Sequence, residues 1–182
     1  MTSHQDDFAA LRVGLAGRYE FERPIGEGGM AVVYVARDLK HHRSVALKVL
    51  RLERRSSEGV ERFNREIRVA AGLVHPHILT LLDSGDVDGR LWYATPFVEG
   101  ETLRARLDRE RQLPVDEAIR LSCEIAAGLG HAHARGVIHR DVKPENILLA
   151  DGRALVADFG IARALETDTV GGLTGTGVTI GT

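Results

Sequence analysis

The chain has 182 residues, 43% hydrophobic and 27% charged, which is enough apolar material for the core of one ordinary globular domain. Its 24 Lys and Arg against 26 Asp and Glu leave a net charge of -2, excluding a bulk electrostatic grip on nucleic acid or anionic lipid, so partners must come from local sites. One cysteine excludes an internal disulfide, no apolar run reaches the roughly 20 residues a membrane span needs, and the first residues lack the basic-then-apolar layout of a secretion signal, so a reducing cytoplasm is the expected setting.

Residues 1–16 show no sustained period and read as a loosely held lead-in. Tyr19, Phe21 and Ile25 then alternate with Glu20 and Glu22 as in a half-buried strand, the run Val32 to Val35 predicts a second strand, and Ser44 to Leu50 a third. Glu58 to Ala71 carries Val60, Phe63, Ile67 and Ala70 at helical spacing, with Ser57 as N-cap and Gly72 as stop. Two short strands are expected at 78–82 and 91–97, separated by turn-rich 83–90. Thr102 to Arg109 reads as a short charged helix. A longer one starts after Pro114, its inward face marked by Val115, Ile119, Ser122, Ile125, Ala126 and Leu129, with Cys123 in the core. Gly128 and Gly130 should each weaken that helix by roughly 1 kcal/mol relative to alanine. The fold class expected is α+β: a strand-rich first half with one main helix, a connector at 96–100, and a helical second half, with a cleft between two lobes.

The segment Ile25-Gly26-Glu27-Gly28-Gly29-Met30-Ala31-Val32-Val33 places glycines where a strand turns tightly and backbone N–H groups can meet phosphate oxygens. Alone it fits an empty glycine-rich hairpin equally well, but strand rather than helix follows the glycines, which argues against a dinucleotide-binding turn. Val45 to Leu50 puts Ala46 and Lys48 on one strand face and Val45, Leu47 and Val49 on the other. A lysine in so apolar a strand calls for an acidic partner, and Glu66, at the margin of the predicted helix stripe, is the candidate. The histidine pairs His41-His42, His75 with His77, and His131 with His133 lack accompanying cysteine pairs and fit no usual zinc spacing. His139 reads as a packed loop residue rather than a general base.

The segment Val137-Ile138-His139-Arg140-Asp141-Val142-Lys143-Pro144-Glu145-Asn146-Ile147-Leu148-Leu149, followed by Val156-Ala157-Asp158-Phe159-Gly160, resembles the catalytic loop and metal-binding motif of protein kinases. With the glycine loop, Lys48 and Glu66 in the matching order, the resemblance covers about residues 17–182, and Gly-Gly-Met with Asp-Val-Lys-Pro-Glu-Asn is most similar to the bacterial serine/threonine branch. It implies a kinase domain over 17–182, with an N-lobe at 17–95, a hinge at 96–100 and a partial C-lobe at 101–182. ATP and Mg²⁺ are the implied cofactors, and proteins offering serine or threonine hydroxyls the implied partners. By the same resemblance Lys48, held by Glu66, would bind the α- and β-phosphates. Asn146 and Asp158 would hold Mg²⁺, Asp141 would orient the acceptor hydroxyl and take its proton, and Lys143 would neutralise the γ-phosphate. Val33 and Ala46 would line the adenine pocket and Thr95 would be the gatekeeper. Arg140 can pair with an activation-segment phosphate, which makes Thr174 and Thr176 the expected autophosphorylation sites.

Two positions depart from the family pattern: Ala31 replaces a third loop glycine, and Pro96 brings no N–H to the hinge. The family pattern also continues past Thr182 with further helices, so apolar surface is expected to lie uncovered. Two functions therefore stand side by side: the catalytic part of a kinase, cytoplasmic or the cytoplasmic part of a membrane-anchored protein, or a kinase-like module that binds without turnover.

Overall fold

The structure, a computed structural model, describes residues 3–28, 31–51 and 57–159; Gly29, Met30 and the segment carrying Thr174 and Thr176 lie outside the described residues. The first half is built on a five-stranded antiparallel sheet in the order β1-β2-β3-β5-β4. Its strands are β1 (Tyr19–Glu27), β2 (Ala31–Asp38), β3 (Arg43–Leu50), β4 (Asp83–Val87) and β5 (Arg90–Pro96). Strand alternation sorts the side chains cleanly. One face presents Tyr19, Phe21, Ala36, Val45, Leu47, Val49, Trp92 and Ala94 to one core cluster, and the other gives Leu50, Leu91 and Tyr93 to a second.

Each face has its own helical cover. The inner face meets α2 (Ser57–Ala71), whose Phe63, Ile67 and Ala70 are buried as the apolar period requires. The outer face meets α1 (Ser3–Leu15), where the sequence suggests only a loose lead-in. Leu11 and Leu15, one turn apart, are fully buried against Tyr19, Phe21 and Trp92, and Gly14 lets the helix approach Val87 more closely than a Cβ would permit. The apolar pair is too short to register as a period, and the sheet face supplies the reason for the helix to form.

The 78–82 strand expected from the sequence is also corrected. Pairing begins at Asp83, and the 83–87 segment, polar enough to read as turn, is an edge strand hydrogen-bonded to β5. Ile78 forms only an isolated parallel bridge with Val156, reinforced by Leu79 N–H to Val156 O and Val156 N–H to His77 O, both 2.9 Å. That bridge joins the sheet half to the second half.

The second half holds β6 (Glu101–Thr102), α3 (Leu103–Glu110), α4 (Val115–His133), a 3₁₀ turn at Pro144–Asn146, β7 (Ile147–Ala150) and β8 (Arg153–Val156), with β6, β7 and β8 in one small sheet. Thr102 caps α3 by accepting the Ala105 N–H at 3.1 Å. The buried side of α4 differs from expectation. Leu121, Gly128 and Ala132 face the core with Ile125 and Leu129 at its edge, while Val115 and Ile119 are 72% and 58% exposed and Cys123 is exposed too. The helix runs so close to the loop before Ile78 that a Cβ on Gly128 would stand 2.8 Å from His77 O. Small residues, rather than the large apolar ones, therefore mark the contact.

Candidate functional site

Strand β3 carries Ala46 and Lys48 on the inner face, as the alternation predicts, and its pairings bring Val33 and Tyr93 beside Lys48 and Thr95 beside Ala46. Val33, Ala46 and Lys48 are half-buried on that face, whereas Val45, Leu47 and Val49 are sealed on the other. Thr95 is buried, its hydroxyl turned to Pro96 O at 3.4 Å. Of the glycine segment, Ile25 to Gly28 and Ala31 to Val33 are described: β1 and β2 pair through Glu27 and Val32, and Gly28 N–H donates to Ala31 O at 3.0 Å, closing the hairpin base.

The expected partner of Lys48 is not the observed one. Its Nζ donates to Asp158 Oδ2 at 2.6 Å, and among the described residues no ion pair joins it to Glu66. Glu66 stands half-buried on α2, one turn from Phe63 and Ala70. Asp158 sits just beyond β8 with a left-handed backbone (φ 61°), a conformation aspartate tolerates better than most residues. Its second oxygen, Oδ1, accepts a 2.6 Å hydrogen bond from the Tyr93 hydroxyl. Burial first, and then the Asp158 charge, raise the Tyr93 hydroxyl well above its ordinary pKa, so it stays a neutral donor. The sequence reading missed Tyr93. The available signal was its place two residues before Thr95, on the same strand face and opposite Lys48.

The loop after α4 presents a second cluster. Asp141 Oδ2 lies 2.7 Å from Lys143 Nζ, and the Asn146 amide donates to Asp141 O at 2.8 Å and to its carboxylate at 3.0 Å. The Lys143 ammonium foremost, and the Asn146 amide after it, hold Asp141 below its ordinary pKa against the opposing pull of burial, while Asp141 raises Lys143 in return. With the Asn146 nitrogen committed to Asp141, its oxygen is the atom left for a ligand.

His139 pins the loop, buried as the sequence suggests. Its Nε2 donates to Ala157 O at 2.8 Å, which leaves Nδ1 to accept the Asp141 N–H at 3.3 Å, and its ring lies 4.7 Å from that of Phe159. Ala157 N–H donates to Asn146 O at 2.9 Å, so the loop bearing Asp141 and the strand end bearing Asp158 are stitched together on both sides. Arg140 takes a left-handed backbone (φ 66°) in this loop.

Away from the cleft, His75, His77 and His131 come together with ring centroids 5.6 and 4.9 Å apart, between α4 and the loop leading to Ile78. Among the described residues no group of three or more His, Cys, Asp or Glu is arranged to hold a metal ion, and no helix is long and apolar enough to cross a membrane.

What the cleft can do chemically follows from its donors. Two carboxylates and one amide oxygen are hard ligands of the kind Mg²⁺ selects, and two ammonium groups stand beside them to receive a polyanion.

Comparison with known proteins shows the family. Residues 19–179 match the family described as "Protein kinase domain". The chain is 46% identical over 170 residues to the serine/threonine-protein kinase PknJ of Mycobacterium tuberculosis, covering 90% of this chain and 28% of that relative. It is 40% identical over 158 residues to the serine/threonine-protein kinase PrkC of Bacillus subtilis, covering 86% and 24%. Among solved structures, the PknI kinase domain of Mycobacterium tuberculosis superposes with a TM-score of 0.70 at 42% identity, over 79% of this chain and 60% of that one. The chain thus spans about a quarter of the length of the curated relatives it matches.

Proposed function

We propose, from the premise that this chain belongs to the protein kinase family, that it works as the ATP-binding and catalytic part of a serine/threonine protein kinase. The observation that carries the reading is the pairing of Lys48 with Asp158 at 2.6 Å and the Asp141, Lys143 and Asn146 cluster at 2.7–3.0 Å, the two joined by the Ala157 N–H to Asn146 O hydrogen bond at 2.9 Å. Phosphoryl transfer needs mostly positioning and charge neutralisation, and this group supplies both.

In the proposed cycle Lys48 exchanges Asp158 for the α- and β-phosphates, with Glu66 on α2 as the carboxylate that then holds it. Asp158 and the Asn146 side-chain oxygen would hold Mg²⁺, which would supply positive charge to offset the charge that builds on the phosphates. Asp141, kept ionised by its partners, orients the acceptor hydroxyl and accepts its proton late in the transfer. Lys143 leaves Asp141 for the γ-phosphate. Val33 and Ala46 line the adenine pocket, the described part of the glycine segment, Ile25 to Gly28 with Ala31 and Val32, meets the phosphates, and Thr95 sets the depth of the back pocket. The substrates are proteins offering Ser or Thr, the setting is cytoplasmic, and Thr174 and Thr176 are the autophosphorylation sites.

The test is transfer of γ-labelled phosphate from Mg²⁺-ATP to a generic basic protein, followed by identification of the labelled amino acid. Phosphoserine or phosphothreonine is expected, and the Asp141→Asn variant should lose at least about two orders of magnitude in rate. Label on tyrosine, or no label from this chain or from the longest reading frame that contains it, would favour a module that binds without turnover.

A further inference from the structure

Asp158 is held from both sides. Lys48 on β3 reaches Oδ2 and Tyr93 on β5 reaches Oδ1, each at 2.6 Å, so three elements meet at one carboxylate. The Tyr93 ring is buried among Ala31, Leu50, Phe63, Ile67, Ala70 and Leu91, which fixes where its hydroxyl can point. A rigid ring, anchored in the sheet half, thus hands one hydrogen bond across to a residue of the second half whose backbone is in a left-handed turn. Lys48 is a flexible partner with 18% of its side chain exposed and a second task on phosphate. Tyr93 is buried, and Asp158 is the acceptor its hydroxyl meets among the described residues.

Resting on the kinase reading above, we propose that Tyr93 is a positioning residue for the metal-binding carboxylate. Its hydroxyl fixes Asp158 through Oδ1 and leaves Oδ2, the oxygen that carries Lys48, free to exchange the ammonium for a divalent cation. Outer partners that orient a ligating carboxylate commonly set metal affinity by 10- to 100-fold. In this role Tyr93 keeps Asp158 oriented when Lys48 moves to a nucleotide.

The decisive experiment measures ADP affinity by calorimetry on the full chain, with Mg²⁺ and with the metal chelated. The proteins compared are the unaltered chain, Tyr93→Phe, Tyr93→Met and Asp158→Asn, together with the Tyr93→Phe/Asp158→Asn double variant. Phe keeps the ring and Met fills the same space, so either one tests the hydroxyl if the other fails to fold. The expected result is that each Tyr93 variant loses about tenfold of the affinity gained from Mg²⁺. Its metal-free ADP affinity should stay as it was, a split that a merely structural defect would not produce. On the Asp158→Asn background, Tyr93→Phe should change nothing further. Full retention of the Mg²⁺ gain, a larger gain, or an equal loss on the Asp158→Asn background would overturn this inference alone. No Mg²⁺ gain in the unaltered chain would overturn the kinase reading and this inference with it.

Discussion

The two halves of the molecule hold their functional residues by different means. In the sheet half each face meets a helix of the chain, α1 on one side and α2 on the other, and Lys48 and Tyr93 inherit their positions from strand pairing, Tyr93 buried and Lys48 half-buried. In the second half α4 buries a narrow line of Leu121, Gly128 and Ala132 and leaves Val115 and Ile119 facing outward. There the loops carrying Asp141 and Asp158 are fixed by polar stitches: His139 to Ala157, Asn146 to Asp141, and Ala157 to Asn146. The lysine that meets the phosphates sits on a packed scaffold, whereas the carboxylates sit on loops that hydrogen bonds hold in register. A site of this kind can keep the backbone that carries each group in register while the Lys48 ammonium exchanges one anionic partner for another.

The contrast can be broken most forcefully at α1. Leu11→Ala should cost about 3 kcal/mol of unfolding free energy, because it empties a fully enclosed position. Ile119→Ala on the outward face of α4 should stay within about 0.5 kcal/mol. Denaturant titration of both variants checks the pair, and equal costs would mean that the two halves are packed alike.

Next come the two glycines of α4, which the sequence treats alike and the structure separates. Gly128→Ala would drive a methyl to 2.8 Å from His77 O, a backbone atom, and should destabilise by about 1–3 kcal/mol. Gly130 has nothing within 4 Å of a Cβ, so Gly130→Ala should stabilise by up to about 1 kcal/mol. Thermal melts of the two variants should move in opposite directions.

The smallest effect sharpens the role of polar pinning. Glu124 accepts the Ala154 N–H at 2.7 Å and pairs with Arg120. Burial opposes its ionisation, but the Ala154 and Arg120 contacts outweigh burial and hold its pKa below the ordinary 4.5. A carboxylate depressed on folding stabilises fully above its unfolded pKa and loses that contribution as pH falls through the folded one. Glu124→Gln should therefore lower stability by about 1 kcal/mol at neutral pH and flatten the acid side of the stability profile, as read by melting between neutral pH and the carboxylate range.

How much of this was legible in the sequence divides along the same line. The Lys48 face of β3 and the α2 stripe were readable because each is set by local spacing, and the loop around Asp141 through its resemblance to a family motif. Three features were not, or only in part. The α1 helix forms because Leu11 and Leu15 find the outer sheet face, a tertiary match that two apolar residues cannot announce. The inward line of α4 is met in part: Ile125 and Leu129 pack against the core as the period suggests, but close approach to the His77 backbone puts Gly128 where a periodic reading looks for a large residue. The partner of Lys48 depends on where α2 and the end of β8 come to rest, and no spacing along the chain distinguishes Glu66 from Asp158. Tyr93 was overlooked for the same reason: its hydroxyl matters only once Asp158 is beside it.

The central claim, that this cleft binds ATP with its phosphates at Lys48 and Lys143, can be tested on the chain directly. An acyl-phosphate derivative of ATP transfers its acyl group to an amine held near the phosphates and releases ATP. The chain has three lysines, Lys40, Lys48 and Lys143, and Lys40, on the turn after Asp38, serves as an internal control. Peptide mapping should find the acyl group on Lys48 or Lys143, suppressed by excess Mg²⁺-ATP, with Lys40 unaffected by nucleotide. Labelling at neither cleft lysine, or labelling there that ATP does not suppress, would contradict the account.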